Sequence, residues 1–233
     1  MSILVDERTR TVIQGATGES GHRFTRRMRD FGTPPVAGVP PDFVKDAVFE
    51  AMDAGIPRIF IYSEHVPLHD GFEMMDADDE RGVAIVGPNT PGIVSPGKYR
   101  LGGLGGAPDY AHAIFKRGVV GVVSRAGGMT STLSDTLSSA GIGQSTAFGC
   151  GGDAIAGTVA REGFRFGHAG ALVEHGRGTF ESKVKAHESV GVKVAPTLRE
   201  IPERVRAALA ECGVTELDLG DALVGPEPVE EAS

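Results

Sequence analysis

Short apolar runs alternate with glycine-marked turns and amphipathic stretches along most of this chain. Thr11 to Ile13 form a β-type run that enters a turn with Gly15, Gly18 and Gly21 at steps of three, followed by a helix-like segment over residues 22–31. Val36 to Val39 read as the next strand, broken by Pro40 and Pro41, after which Asp42 is placed to cap a helix over residues 44–52. Arg58 to Tyr62 form a buried-type strand ending in Ser63, Glu64 and His65, and Val83 to Val86 form another that runs into Gly87-Pro88-Asn89-Thr90-Pro91-Gly92. Farther on, Gly118 to Val123 are an apolar strand leading into Ser124-Arg125-Ala126-Gly127-Gly128-Met129-Thr130 and a helix-like stretch to Ala140. Ser145 to Phe148 follow as a strand that ends in Gly149 to Asp153. A short strand at Val192 to Val194 lies between helical segments over residues 178–189 and 198–211. Repeated strand–turn–helix units predict an α/β fold built on parallel sheets. The glycine-rich run from Gly102 to Gly106 reads as a flexible junction and marks the best boundary. It divides residues 1–103 from residues 104–219, and the Pro- and Glu-rich residues 220–233 read as a disordered tail.

Composition narrows the class without naming a function. Of 233 residues, 40% are hydrophobic and 23% charged, which is enough apolar material for a sizeable core, and 34 are glycine, which suits many tight βα turns. A net charge of −8 argues against a general nucleic-acid surface but leaves room for a local phosphate pocket. The two cysteines, Cys150 and Cys212, lack metal-ligand spacing and point to a reducing compartment. With no signal-type apolar run after Met1 and no stretch near the ~20 apolar residues of a membrane span, the expectation is a cytoplasmic chain with no nucleic-acid or membrane partner.

Two turns carry phosphate-type chemistry. The turn at Gly15, Gly18 and Gly21 and the one from Ser124 to Thr130 both join a strand to a helix start, where free N–H groups and the helix dipole favour anions. The first lacks the dinucleotide G-x-G-x-x-G spacing, so a simple chain reversal stands beside phosphate binding. His168, between Gly167 and the Ala169-Gly170 pair, leaves its imidazole open to large charged groups. His65 and His69 have a metal-type i, i+4 spacing, yet neighbouring prolines and aspartates favour an exposed loop, and no metal site is expected. His22, His112, His175 and His187 are expected at the surface. The cluster Asp76, Asp78, Asp79 and Glu80 lacks the glycine turn and terminal glutamate of a calcium loop and reads as a solvated helix end.

Taken together, these stretches resemble the α subunit of succinyl-CoA synthetase (succinate–CoA ligase). The resemblance runs in order through residues 1–6, Gln14 to Gly18, Asp53 to Gly55, Gly87 to Asn89, Pro91-Gly92, Ser95 to Gly97, Val123 to Arg125, Gly151 to Asp153 and Gly167 to Ala171. Residues 124–129 and 166–170 lean toward the related ATP-citrate lyase and citryl-CoA synthetase branch, whereas Pro88 to Gly97 look more like the succinate enzymes. The resemblance implies a Rossmann-like CoA-binding domain followed by a flavodoxin-like ligase domain. It implies that His168 carries a phosphoryl group, supported by Ser124, Arg125, Gly127, Gly128, Thr130, Gly151, Gly152 and Asp153. Coenzyme A would face Gly15, Thr17, Gly18, Glu19, Ser20, Gly21, Glu64, Pro88 and Asn89. ATP or GTP with Mg²⁺ would bind an ATP-grasp β subunit, in a heterodimer or heterotetramer, and a small carboxylic acid would be the acyl donor.

Two blocks of the family pattern have no counterpart. One helix and strand are missing after Val39, and two strands, one ending in the glutamate that supports the histidine, are missing between Gly157 and Gly167. Ala126 and Thr90 stand where the succinate enzymes usually carry serine and cysteine. A parallel sheet without internal strands leaves unpaired backbone and exposed apolar surface. The leading expectation is therefore a succinate–CoA ligase-type subunit, with a citrate- or malate-directed ligase and an inactive CoA-binding or regulatory module as alternatives. An NAD-binding oxidoreductase is disfavoured by the first glycine turn and by the absence of an acidic residue ending the second strand.

Overall fold

The computed structural model of the chain describes Val5, Thr9 and residues 39–153 and 180–214, apart from the side chains of Asp79 and residues 180–183. The helix predicted over residues 44–52 is present as α1 (Val44–Asp53), but Phe43, not Asp42, is its N-cap, because Asp42 is drawn into a 3₁₀ turn at Pro41–Phe43 and no side chain caps the helix. Its Val44, Val48 and Met52 fall at steps of four and are buried as one stripe against Met74, Ala77, Ile61 and Ile85. Strands β1 (Arg58–Phe60) and β2 (Ala84–Val86) pair in parallel, Arg58 opposite Ala84 and Phe60 opposite Val86. Between them runs α2 (Leu68–Arg81), closed by Gly82 in the left-handed conformation that glycine adopts without strain. The acidic cluster does lie at its end, but Asp78 is buried rather than solvated. His69 likewise belongs to the first turn of α2, not to a loop, while exposed His65 precedes the helix.

The second sheet has the order β4-β3-β6-β5. Strands β5 (Arg117–Ser124) and β6 (Gln144–Gly149) pair in parallel, as the repeated units predict. Strands β3 (Gly92–Ser95) and β4 (Tyr99–Gly102) form a hairpin around Pro96 to Lys98 and add antiparallel pairs, with Gly92 opposite both Gly102 and Gly149. These antiparallel pairs stand beside the parallel pair of β5 and β6 in one mixed sheet. Periodicity alone misses the hairpin because all eight of its strand residues are buried, which erases the alternation that marks a half-exposed strand. The sheet draws strands from both sides of residue 103. The run from Gly102 to Gly106 is packed rather than loose, with Leu104 buried and a Cβ at Gly105 meeting the Phe115 ring at 2.6 Å.

Helices α3 (Pro108–Ile114) and α4 (Gly127–Ser139) cover one face of this sheet and enclose Val94, Leu104, Ile114, Phe115, Val122, Leu137, Ile142 and Ala147. The other face carries Ile93, Tyr99, Leu101 and Phe148, which pack with Val86 of β2 and so join the two sheets through one apolar cluster. Gln144 is buried with its amide fully used: Nε2 donates to the Ser138 hydroxyl and the Ile142 carbonyl at 3.0 Å, and Oε1 accepts from Lys116 N at 3.2 Å. Helices α5 (Phe180–Ser189) and α6 (Ile201–Glu211) match their predicted positions, a 3₁₀ turn at Leu198–Glu200 leading into the second. No strand forms at residues 192–194; these lie beside Gly191, Val192 is exposed, and no described strand is there to pair with them. The glycine turn at 15–21, the segments at 11–13 and 22–31, the His168 loop, His22, His175 and the tail lie outside the described residues.

His112 on α3 is half-buried rather than on the open surface. Burial, reinforced by the nearby Arg100 guanidinium, lowers its pKa from the ordinary 6.5. In the unfolded chain the imidazole protonates first, so stability falls as pH drops below about 6.5 and is regained above it. NMR titration should place the His112 midpoint below that of a surface histidine, and His112→Asn should flatten the decline in stability between pH 7 and 5.

Candidate functional site

The site forms where the loops after β1, β2, β5 and β6 meet at the carboxyl ends of parallel strands, the place where α/β sheets gather ligand groups. After β2, Gly87 takes φ 99 because a Cβ would lie 2.3 Å from the Ile61 carbonyl oxygen, and Asn89 takes φ 61. The Asn89 N–H donates to Ser63 O at 2.8 Å, tying this loop to the end of β1. Thr90 is buried, and its hydroxyl donates to Gly149 O while accepting from Gly92 N at 3.0 Å. Pro91 fills the space between β6 and α4: a Cβ on Gly149 would meet its Cγ at 2.3 Å, and one on Gly127 its Cβ at 2.9 Å. Gly127 thus has a packing reason to be glycine besides any approach to phosphate.

Asp153 is the hub. Its Oδ1 accepts from Asn89 Nδ2 at 3.1 Å and its Oδ2 from Val66 N at 3.3 Å, while Gly152 N donates to Asn89 O at 3.1 Å. Arg125 reaches across from the β5 loop, with Nε donating to Gly151 O at 3.0 Å and an Nη to Asp153 O. Residues expected to face CoA (Pro88 and Asn89) and residues expected to support phosphohistidine (Arg125, Gly151, Gly152 and Asp153) are therefore brought into direct contact. Glu64 lies exposed one residue before His65. A cavity of about 240 Å³ opens beside the hub, lined by His65, Val66, Pro67, Leu68, Gly71, Pro88 and Asp153. Val66, which closes the hub through its backbone, carries no chemical signature a sequence reading can use.

Helix α4 begins at Gly127 with Ala126 as N-cap, so no side chain caps its first turn. Gly128 is exposed and open, and an anion could approach the first-turn N–H groups there. Ser124 shapes the preceding turn, its hydroxyl accepting from Ala126 N at 3.1 Å. Thr130 is fully buried, with its hydroxyl bonded to Ala126 O at 2.9 Å inside the helix. Burial pushes the Cys150 thiol up against the lowering effect of Arg125, which keeps it protonated at neutral pH. Elsewhere His69, Asp70 and Glu73 cluster on α2, but Lys45 already pairs with both carboxylates, meeting Asp70 at 2.7 Å and Glu73 at 3.1 Å.

No family model matches the chain. The ADP-forming succinate–CoA ligase subunit alpha 2 of Archaeoglobus fulgidus is 36% identical over 293 aligned residues, covering 90% of this chain and 100% of that protein. This chain belongs to the succinate–CoA ligase α-subunit family. The α subunit of Methanothermobacter thermautotrophicus is 32% identical, covering 89% of the chain and 97% of that protein. A subunit of the ADP-forming sulfoacetate–CoA ligase of Bilophila wadsworthia is 30% identical over 90% of the chain. An alignment of 293 residues is longer than the 233-residue chain, so gaps fall opposite it, in keeping with the missing internal blocks. The fold is shared with ATP citrate lyase from Methanothrix soehngenii, solved with citrate and coenzyme A (TM-score 0.77, 16% identity). That match covers 96% of this chain, which spans 54% of the lyase chain. Among the described residues no helix is long and apolar enough to cross a membrane.

Two substitutions test the packing of this site. Gly149→Ala forces a Cβ into Pro91 and should destabilise the chain by ~1–3 kcal/mol in urea unfolding, whereas Gly128→Ala, in open space, should be neutral or slightly stabilising. Asp153→Asn turns one acceptor into a donor facing Asn89 or Val66 and should lose ~1–3 kcal/mol.

Proposed function

We propose that this chain is the CoA-binding, phosphohistidine-bearing α-type subunit of an acid–CoA ligase, converting an acid, CoA and a nucleoside triphosphate to acyl-CoA, nucleoside diphosphate and phosphate. The reading is carried by one observation: the loop with Pro88 and Asn89 is bonded directly to the loop ending in Asp153. That contact is what a reaction needs if it must bring a thiol and a phosphoryl group to one carbonyl.

A carboxylate is a poor acylating agent, so the reaction passes through an acyl phosphate. A neutral His168 nitrogen takes the phosphoryl group as the diphosphate leaves. The acid's carboxylate oxygen then attacks that phosphorus and frees the imidazole. Finally the CoA sulfur, having given up its proton, attacks the acyl carbon, and inorganic phosphate departs. Phosphoryl transfer is catalysed mainly by positioning and charge stabilisation, for which the uncapped start of α4 is suited. The turn with Gly15, Thr17, Gly18, Glu19, Ser20 and Gly21 would hold CoA together with Glu64, Pro88 and Asn89. ATP or GTP with Mg²⁺ would sit on an ATP-grasp β subunit, in a cytoplasmic heterodimer or heterotetramer. Relatives named for succinate and sulfoacetate, and a fold neighbour solved with citrate, share acids that carry a second anionic group. Succinate is the first choice for this chain, then citrate or malate.

A second reading, an inactive CoA-binding or regulatory module, is favoured by the shortness of the chain against its own alignment. Mixing the chain with a cognate ATP-grasp subunit, γ-labelled ATP and Mg²⁺ separates the two. The ligase reading expects acid-labile, base-stable label on the chain, abolished by His168→Ala and discharged by the true acid with CoA. No label on a folded chain that binds the partner favours the inactive module.

A further inference from the structure

Strand β5 ends its sheet: it pairs with β6 on one side and with no other described strand on the other. Its exposure alternates strictly, with Arg117, Val119, Gly121 and Val123 exposed and Gly118, Val120, Val122 and Ser124 less so. Val119 is 54% and Val123 57% exposed, large values for valines in the middle of an apolar strand. Val123 lies on the face that carries Phe148, with which it is in register, and Val119, four residues earlier, is exposed beyond register shifts at Arg117/Val120 and Val120/Gly121. The Phe148 face is covered over β4, β3 and β6 by the cluster with Val5 and Val86, and among the described residues its covering stops at β5. An apolar edge of this kind is a template for pairing with another chain; this one carries no proline and no lysine, and its irregularity against β6 is confined to Arg117 to Gly121.

We propose that the outer edge of β5 pairs antiparallel with β5 of a second copy of this chain, across a two-fold axis at Gly121. The self-complementarity is written in the strand. Val119-Val120-Gly121-Val122-Val123 reads the same in both directions. Antiparallel pairing about Gly121 therefore sets Val119 against the second copy's Val123, and Val120 against its Val122. Each exposed valine gains a cross-strand valine on the bare face, the pairing unit that stabilises sheets. Gly121 stands on the axis and, having no side chain, leaves the bare face open there. An isologous two-fold contact of this form closes after two copies and does not propagate.

Charge selects the same arrangement. The chain carries −8 overall, which opposes general self-association, yet the strand contains no carboxylate. Its one charged side chain, Arg117, sits at one end. Antiparallel pairing sends the two arginines to opposite ends of the ladder, whereas parallel pairing would stack them. The inference does not depend on the ligase reading, since none of Val119, Gly121 and Val123 is assigned to that chemistry.

The test is sedimentation equilibrium of the full chain between about 1 and 100 μM, beside the double variant Val119→Lys/Val123→Lys. The parent should dimerise in this range, and the double variant should weaken dimerisation at least tenfold. Both sites are exposed, so its thermal melt and circular dichroism should match the parent. Register is read separately in a Cys212→Ser background, since Cys212 is an exposed thiol. Mild oxidation of mixed Val119→Cys and Val123→Cys chains should give mixed cross-linked dimers, and either variant alone should give few. A parent that stays monomeric overturns the proposal. So does a dimer that the lysines leave intact, or one in which Val119→Cys cross-links to itself as readily as to Val123→Cys. If the lysine variant fails to fold, the cysteine pairing pattern decides the question alone.

Discussion

The carboxylate of Asp153 holds the candidate site together. It accepts from Asn89 on the loop after β2 and from Val66 on the loop after β1, while Arg125 grips the backbone on both sides of it from the loop after β5. Three loops from two sheets are thereby fixed around one residue. The apolar cluster of Val86, Ile93 and Phe148 presses the same two sheets together, but apolar contact is non-directional and does not by itself set loop positions to within a hydrogen bond. Directional bonds to a carboxylate do, and charge-assisted ones are stronger than neutral ones. Removing the hub should therefore loosen loop placement before it unfolds either sheet.

Much of this architecture was legible in the residues. The strand at Arg117–Ser124, the helix start at Gly127 and the α1 stripe all follow from periodicity and glycine placement, because there one side of each element faces core and the other does not. The hairpin of β3 and β4 was not legible, since both strands are buried on both faces and present no alternation. Val192 to Val194 looked like a strand for the opposite reason: β-branched residues in a short run carry the propensity, but a strand exists only where a neighbour supplies the ladder. Gly102 to Gly106 show how one residue type carries two meanings. Read alone, five positions with four glycines suggest looseness; in the fold they allow left-handed turns and a close approach to Phe115.

At the site, the motif residues were legible individually and their joining was not. Asn89 and Asp153 stand 64 positions apart, and nothing in spacing says that one donates to the other. Val66 participates through its backbone N–H, which every residue but proline possesses, so no side-chain pattern could have marked it. Thr130 illustrates the reverse: a hydroxyl in a phosphate-type turn looks available, yet it bonds to the carbonyl four residues earlier within its own helix.

The loops meet at the hub in a chain shorter than its own alignment with a family member. Whether the assembled loops serve their proposed ligand is measured most directly by calorimetric titration of the chain with coenzyme A, with no partner or nucleotide present. The expected result is saturable binding by the parent, weakened about tenfold by Asn89→Ala as one hydrogen-bonded contact at the hub is lost. A folded parent chain that shows no binding, or binding unaffected by Asn89→Ala, would contradict the claim that these loops form a coenzyme A site.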